Sequence, residues 1–377
     1  MRVAVISNNA FGLLNFRGPL LLELKRRGHD VLAFAPDIDA STRAALTAMG
    51  VHSVEYGLSR TGLNPFKDIS TILQLRALLK KYQPDISLSC FIKPVIYGTV
   101  AAWLAGVPRR YAMIEGLGFA FTDSPIPRRK NSIIRIAISF LLKFSLSKSD
   151  CIVVLNSDDY NELIKRNLVS SDKIEILGGI GVDLHEWEYS PPPLQPVTFM
   201  LVARLLWDKG IGEYARAAAS LRKTHPNARI ILVGGLDQNP AAVPRQVVEG
   251  WVSDNVLDAW PGHVPVRPWL EQASVFVLPS YREGVPRSTQ EAMAMGRPVI
   301  TTNSPGCRDT VIEGVNGFLV PPGDPVALAD AMRRFLDHPE DIISMGRESR
   351  RLAEERFDVQ VQNAKLLSFM GLPENTA

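Results

Sequence analysis

SVFVLPSYREGVPRSTQEAMAMGRPVITT, Ser274 to Thr302, reads as strand, turn, helix and strand. VFVL is a short, wholly apolar run, as suits a strand buried on both faces. Pro286 stands where a first helical turn tolerates a residue without an N–H. A helix follows from about Arg287 to Met295, and Gly296 stops it. RPVITT is the next strand. The turn also poses a chemical question. It carries Glu283, with Glu291 eight positions on, and carboxylates cost several kcal/mol to desolvate unless they find partners.

The same alternation extends outward. VTFMLVA, a helix around Ile211–Lys223 and ARIILVGG precede the stretch, and LDAWPGH is read as a further strand. From the N-terminus, RVAVIS, HDVLAFAP, VHSVEYG, DISLSC, RRYAMIEG and DCIVVLN read as strands. Helical segments such as FRGPLLLELKRRG and DISTILQLRALLKKYQ separate them. Short apolar strands alternating with helices imply an α/β chain with parallel, doubly wound sheets. HEWEYSPPPLQP, His185 to Pro196, interrupts the pattern with its prolines and suits a linker. The expected organisation is a Rossmann-like domain over 1–186, a linker over 187–196 and a second Rossmann-like domain over 197–355. A C-terminal helix within 356–377 is expected to pack back on the first domain. Ligands of such sheets bind at the strands' carboxyl ends near a switch in strand order, and two facing domains would enclose a cleft.

Composition narrows the partners. The chain has 377 residues, 46% hydrophobic and 21% charged, which is ordinary globular material. The net charge is +3, unevenly spread. Residues 1–185 hold 23 Lys and Arg against 16 Asp and Glu, a balance of +7; the remainder holds 19 against 23, a balance of −4. A basic first half points to an anionic partner: phosphate, nucleic acid or a membrane surface. Three widely spaced cysteines form no disulfide frame or metal motif, so a reducing cytoplasm is expected. MRVAVIS reads as a strand rather than a signal peptide, and no apolar run is long enough to predict a transmembrane helix.

Two segments carry the chemistry. VARLLWDKG, Val202 to Gly210, follows a strand and precedes a helix. Arg204 offers a fork of donors to phosphate and Lys209 a mobile point charge; two solvated surface cations are the alternative. In the quoted stretch, the amides of the helix start face an anion. Glu283 on the turn and Glu291 inside the helix reach different depths, and each can accept two hydroxyl donors of a diol. A dipole-offsetting acid and a solvated helix acid are the alternative. Arg287, between them, reads as a donor contact or an ordinary solvated helix-start arginine. Together the segments suit a nucleotide-diphosphate sugar: cations for the diphosphate, one acid for ribose, one for the sugar.

These residues resemble a known family. SYREGVPRSTQEAMAMGRPVI is similar to the E-x7-E element of retaining glycosyltransferases of family 4, which have the two-domain GT-B fold. VARLLWDKG resembles their Arg…Lys segment, NGFLVPPGD their downstream segment, and GGIGVDLHEW their domain-closing strand and turn. The resemblance implies that Glu283 contacts the transferred sugar and Glu291 the ribose. It implies that Arg204 and Lys209 stabilise the leaving diphosphate, and that Gly284, Val285, Pro286 and Arg287 line the donor. NFRGPL, SRTGLNPF, FIKP and MIEGLGFAFT resemble a narrower branch that extends sugars on undecaprenyl diphosphate. By that resemblance Arg17, Arg60 and Lys93, each read as a loop cation near a strand's carboxyl end, are candidates for the acceptor's phosphates. Glu115 follows RRYAMI where many members have a histidine, and three roles stay open for it: sugar contact, acceptor-hydroxyl contact or helix-cap acid. Gly12, placed before the first helix, admits close approach of a diphosphate or a simple turn.

The segment IPRRKNSIIRIAISFLLKFSLSKSD, Ile126 to Asp150, is apolar over more than one helix face, with Arg128, Arg129, Lys130, Arg135, Lys143 and Lys148 around the apolar residues. It is expected to lie against an anionic membrane, the alternative being a helix buried on the sheet with a charged rim. Asp37 and Asp39 form a D-x-D read as a surface turn, and the six histidines lack ligand spacing. No metal and no cofactor are expected. The expected activity is transfer of a hexose or N-acetylhexosamine from an NDP-sugar, with UDP as the nucleotide, to a polyprenyl-diphosphate-linked saccharide. The expected place is the inner face of the cytoplasmic membrane. A UDP-sugar 2-epimerase is the rival. A dinucleotide dehydrogenase is disfavoured because SNNAFGLLNF lacks G-x-G-x-x-G, and no aromatic-basic signature supports nucleic-acid binding.

Overall fold

A computed structural model of the chain describes residues 1–59, 65–118, 131–237, 239 and 241–373, with backbone alone at 65 and 131–137. Two compact units emerge. The first is built from β1 (Arg2–Ile6), α1 (Ala10–Arg26), β2 (Asp30–Ala35), α2 (Ala40–Ala48), β3 (His52–Glu55), α3 (Pro65–Tyr82), β4 (Ile86–Cys90), α4 (Ile92–Ala105), β5 (Arg109–Ile114), α5 (Asn131–Leu146), β6 (Cys151–Val154), α6 (Ser157–Lys165) and β7 (Ile174–Ile176). Among the described residues its sheet is parallel, in the order β3-β2-β1-β4-β5-β6-β7. The chain therefore winds outward from β1 in one direction and from β4 in the other.

The second unit holds β8 (Thr198–Val202), α7 (Ile211–Leu221), β9 (Arg229–Val233), α8 (Arg245–Ser253), α9 (Arg267–Leu270), β10 (Val275–Leu278), α10 (Arg287–Ala294), β11 (Val299–Thr302), β12 (Gly317–Val320), α11 (Pro325–Asp337) and α12 (Glu340–Arg356). Its parallel sheet has the order β12-β11-β10-β8-β9, so the switch falls between β10 and β8. The strands β8 and β10 are buried along their whole length, which is why they read as unbroken apolar runs.

Three local readings are corrected. LDAWPGH is not a strand; Ala259 makes an isolated bridge to Ile231. The short edge strands β7 and β12 extend the two sheets. The first helix begins at Ala10, well before FRGPLLLELKRRG, and carries Pro19 inside it. Its early start has a cause: Asn9 Oδ1 accepts the Gly12 N–H at 2.5 Å, and Asp37 Oδ1 accepts the Ala10 N–H at 2.6 Å. Two side chains thus satisfy donors that a helix start leaves without partners. Asp39 in turn caps α2 through the Thr42 N–H, so both acids of the D-x-D are helix caps.

The chain passes from the first unit to the second at Ile180/Gly181 and returns at Val359/Gln360. At these passages the Val182 N–H donates to Phe357 O at 2.8 Å and the Val359 N–H to Val182 O at 3.1 Å. Residues 187–196 pack within the second unit. Arg297, fully buried, donates to Ser190 O and Ser190 Oγ, and Ser274 Oγ donates to Pro193 O. The last helix, α13 (Val359–Phe369), leads into residues held by the first unit. There Tyr111 donates to Met370 O at 2.8 Å and Arg27 to Leu372 O at 2.7 Å.

Candidate active site

Lys209 and Glu283 come from segments 74 residues apart, yet they meet because β8 and β10 are neighbours at the switch. Lys209 ends a short 3-10 turn, and Gly210 follows with φ +71°. A Cβ at Gly210 would stand 2.1 Å from Pro279 O, so only glycine lets this turn lie against the end of β10. The Tyr281 N–H donates to Asp208 O at 3.0 Å and joins the two turns. Lys209 Nζ then donates to Glu283 Oε1 at 2.6 Å, and Ser280 Oγ donates to the same oxygen at 2.8 Å. Both charged side chains are only 15% exposed. From the other side, a Cβ at Gly306 (φ +75°) would sit 2.1 Å from Gly284 O, so close backbone packing fixes the Glu283 turn.

The second acid has its own cation. Arg287 Nε donates to Glu291 Oε1 at 2.8 Å across one turn of α10, with side chains 14% and 12% exposed. Burial raises the Glu291 pKa, and Arg287 offsets part of that rise. Arg287 is therefore no solvated helix-start residue. Pro286 is the N-cap of α10 and provides no side-chain cap. Val285 is buried beside it, and Gly284 lies in the preceding turn. The two helix starts contrast: α1 is closed by Asn9 and Asp37, while α10 begins without a side-chain cap.

Gln290 was missed by the sequence reading. It is fully buried; its Nε2 donates to Val285 O at 3.1 Å and its Oε1 accepts the Gly181 N–H at 3.0 Å. The signal was an uncharged polar residue next to the apolar run of α10. The structure does not bring Arg204 to Lys209. Its guanidinium, 62% exposed, donates to Asp237 at 2.9 Å.

The first unit corrects two candidates outright. Arg17 lies inside α1 rather than in a loop, and its guanidinium is buried 2.5 Å from Glu115. Burial opposes its charge, but Glu115, with Cys90 beside it, more than offsets this and raises the Arg17 pKa. Burial pushes the Cys90 thiol up to about 12, so it stays neutral. A buried arginine already held by a carboxylate is not an open phosphate cation. Gly12 belongs to the first turn of α1, and its amide is used by Asn9, so it offers no open donor to a diphosphate. Glu115 follows β5 as expected, facing Arg17. Lys93 lies in the first turn of α4, beyond the end of β4, and donates to Ser59 O at 2.5 Å; burial lowers its pKa. Arg60, Arg128, Arg129 and Lys130 lie outside the described residues. Among the described residues no helix is long and apolar enough to cross a membrane.

Two doubly wound parallel units, with a lysine–carboxylate pair at the switch of the second, define the class: this is the GT-B architecture of glycosyltransferases. The sucrose-phosphate synthase of Thermosynechococcus elongatus superposes with a TM-score of 0.79 at 20% identity, covering 98% of each chain, and so shares the fold. Residues 20–185 match the family model described as Glycosyltransferase Family 4, and residues 196–338 the one described as Glycosyl transferases group 1. The chain belongs to these glycosyltransferases, carrying both domains in that order, and is a hexosyltransferase. The N,N'-diacetylbacillosaminyl-diphospho-undecaprenol alpha-1,3-N-acetylgalactosaminyltransferase of Campylobacter jejuni is 27% identical over 333 residues, 84% of this chain and 85% of that one. The UDP-Gal:alpha-D-GlcNAc-diphosphoundecaprenol alpha-1,3-galactosyltransferase of Escherichia coli is 28% identical over 287 residues, 72% and 71% of the two. Relatives of this kind disfavour the epimerase reading.

Proposed function

We propose that the protein transfers a hexose or N-acetylhexosamine from a UDP-sugar to a saccharide carried on polyprenyl diphosphate, with retention of anomeric configuration. The reading places it peripherally on the inner face of the cytoplasmic membrane, in the assembly of a bacterial surface polysaccharide or glycan. The observation that carries it is the Lys209–Glu283–Ser280 cluster at the strand switch, beside a helix start that lacks a side-chain cap. The printed substrates of the two relatives, diphosphoundecaprenol-linked sugars and in one case UDP-Gal, support the substrate class.

In this mechanism Lys209 turns from Glu283 to the departing diphosphate, and the α10 amides share that charge. Glu283, relieved of its cation, accepts hydroxyl donors from the transferred sugar. Glu291, its charge partly balanced by Arg287, accepts the ribose diol. The acceptor oxygen bonds to the anomeric carbon as the carbon–diphosphate oxygen bond breaks. The diphosphate leaves with the electron pair and takes the acceptor's proton. Lys209 and the helix start supply the positive charge, so the reading needs no metal ion, and activity should persist in EDTA. Arg204 joins the site only by leaving Asp237.

The test is a panel of NDP-sugars offered with a short-chain polyprenyl-diphosphate sugar, products read by mass and anomeric NMR. An added hexose with the donor's anomeric configuration is expected. UDP release without acceptor product, inversion, or epimerised donor would overturn the reading.

A further inference from the structure

The first unit presents an unusual outer face. Helix α3 packs on α4 and α4 on α5, forming one layer over the sheet. The inner sides of these helices are core: Leu75, Leu79, Ala101, Ala102, Leu142 and Leu146 are all buried. The outer sides are apolar as well. On α3, Phe66, Ile69 and Leu73 recur at helical spacing and are 86%, 56% and 55% exposed. On α4 Trp103 is exposed, and on α5 Phe140 is 71% exposed and Phe144 42%. Trp103 and Phe144 meet edge to face, ring centroids 6.1 Å apart, which joins α4 to α5 on the outside. Single exposed apolar residues are ordinary, whereas a shared apolar face is not.

The charges on this layer are predominantly positive. Across α3, α4 and α5 the only carboxylate is Asp68. Lys67, Lys80 and Lys143 are exposed around the aromatics. Lys148, just past α5, holds its ammonium 4.6 Å from the Trp103 ring centroid and 5.3 Å from that of Phe144. Aromatic rings flanked by lysines with long apolar stems fit a bilayer interface, where the rings sit at headgroup level and the ammonium groups reach anionic phosphates.

We propose that the outer face of α3, α4 and α5 is the surface by which this protein lies on an anionic bilayer. This rests on the reading of a lipid-linked acceptor and deepens it. It extends the expected contact from the 126–150 segment to exposed aromatic residues on all three helices. Insertion of the rings supplies most of the attraction, and the lysines select anionic lipid.

The test is co-sedimentation of the full chain with vesicles of phosphatidylcholine containing phosphatidylglycerol, and with phosphatidylcholine alone. Phe66→Glu/Phe140→Glu removes the two most exposed rings, neither of them in the core or the active site. The wild type should pellet with the mixed vesicles and more weakly with the neutral ones. The double variant should partition about 100-fold less, with an unchanged melting temperature and unchanged turnover on a short-chain, detergent-free acceptor. A Lys143→Glu/Lys148→Glu variant should lose the preference for anionic vesicles. Unchanged pelleting of Phe66→Glu/Phe140→Glu would overturn the proposal. So would a wild-type dimer that this variant dissociates without any change in vesicle binding, since the face would then be covered by a second copy. The outcome is independent of the substrate reading: vesicle binding is measured without substrate, and the soluble-acceptor assay reports transfer without a bilayer.

Discussion

Replacing Lys209 with alanine should have two separable effects. Lys209 and Glu283 are each 15% exposed, so the pair sits in little water. Removing one partner of a fully buried ion pair costs about 3–5 kcal/mol because the other charge is stranded. Here Ser280 still donates to Glu283 Oε1 and some water reaches it, which reduces the expected loss to about 2 kcal/mol. For a unit of this size that lowers its melting temperature by roughly 4–8 °C. The catalytic effect is larger: loss of a donor that stabilises developing negative charge costs about 100- to 1,000-fold in kcat. The two effects part company in Lys209→Ala/Glu283→Ala. With no stranded carboxylate, the double variant should recover most of the lost stability while remaining inactive. Calorimetry on the four members of the cycle, with a coupled assay of UDP release in the presence of acceptor, measures both. A double variant no more stable than Lys209→Ala would show that the two groups do not sense each other. Lys209→Ala turnover within tenfold of wild type would remove the diphosphate role.

Three further outcomes are expected. Glu291 has a folded-state pKa raised by burial, so its ionisation opposes folding above that raised pKa, and the penalty has vanished once pH reaches the ordinary value near 4.5. Glu291→Gln should therefore melt higher than wild type at pH 7, with the gap closing as pH falls toward that value and gone below it; a gap independent of pH would refute this. Arg17→Met strands Glu115 and should destabilise the chain by about 3 kcal/mol in urea unfolding, with much of the loss recovered in Arg17→Met/Glu115→Met; a fully stable Arg17→Met with weakened acceptor binding would restore the phosphate role. Gln290→Leu leaves the Gly181 N–H and the Val285 carbonyl without their partner, costing about 2 kcal/mol in total. It should also raise the donor KM through the loosened Val285 turn, and an unchanged KM would confine Gln290 to stability.

What could be read from the sequence follows from how local each signal is. β8 and β10 are buried runs closed by turn residues, and α10 lies between a proline and a glycine, so both sheets and the candidate turn were legible. β7 and β12 are three and four residues long and lie at sheet edges, too short to display a period. The start of α1 was hidden because its cap depends on Asp37, 27 residues away in the next loop. Arg17 was read as a loop cation for the acceptor's phosphates because nothing local announces Glu115. The Arg287–Glu291 pair, at helical spacing, was visible in principle. The Lys209–Glu283 bond was not, since only the strand order brings the two turns together.

The paired passages at Val182 and Phe357–Val359 also bear on how such proteins diversify. Among the described residues the chain enters the second unit at Gly181 and leaves it after Val359, and hydrogen bonds join these two passages, so in chain topology the unit is an insert within the first unit, whose sequence resumes after it. An insert with adjacent ends is an exchangeable cassette. Recombination at Gly181 and Val359 would bring in a foreign second unit while preserving the first unit's sheet, its terminal residues and its outer helical face. Gln290 sets the compatibility rule for such a graft: the incoming helix must present an acceptor to the Gly181 amide.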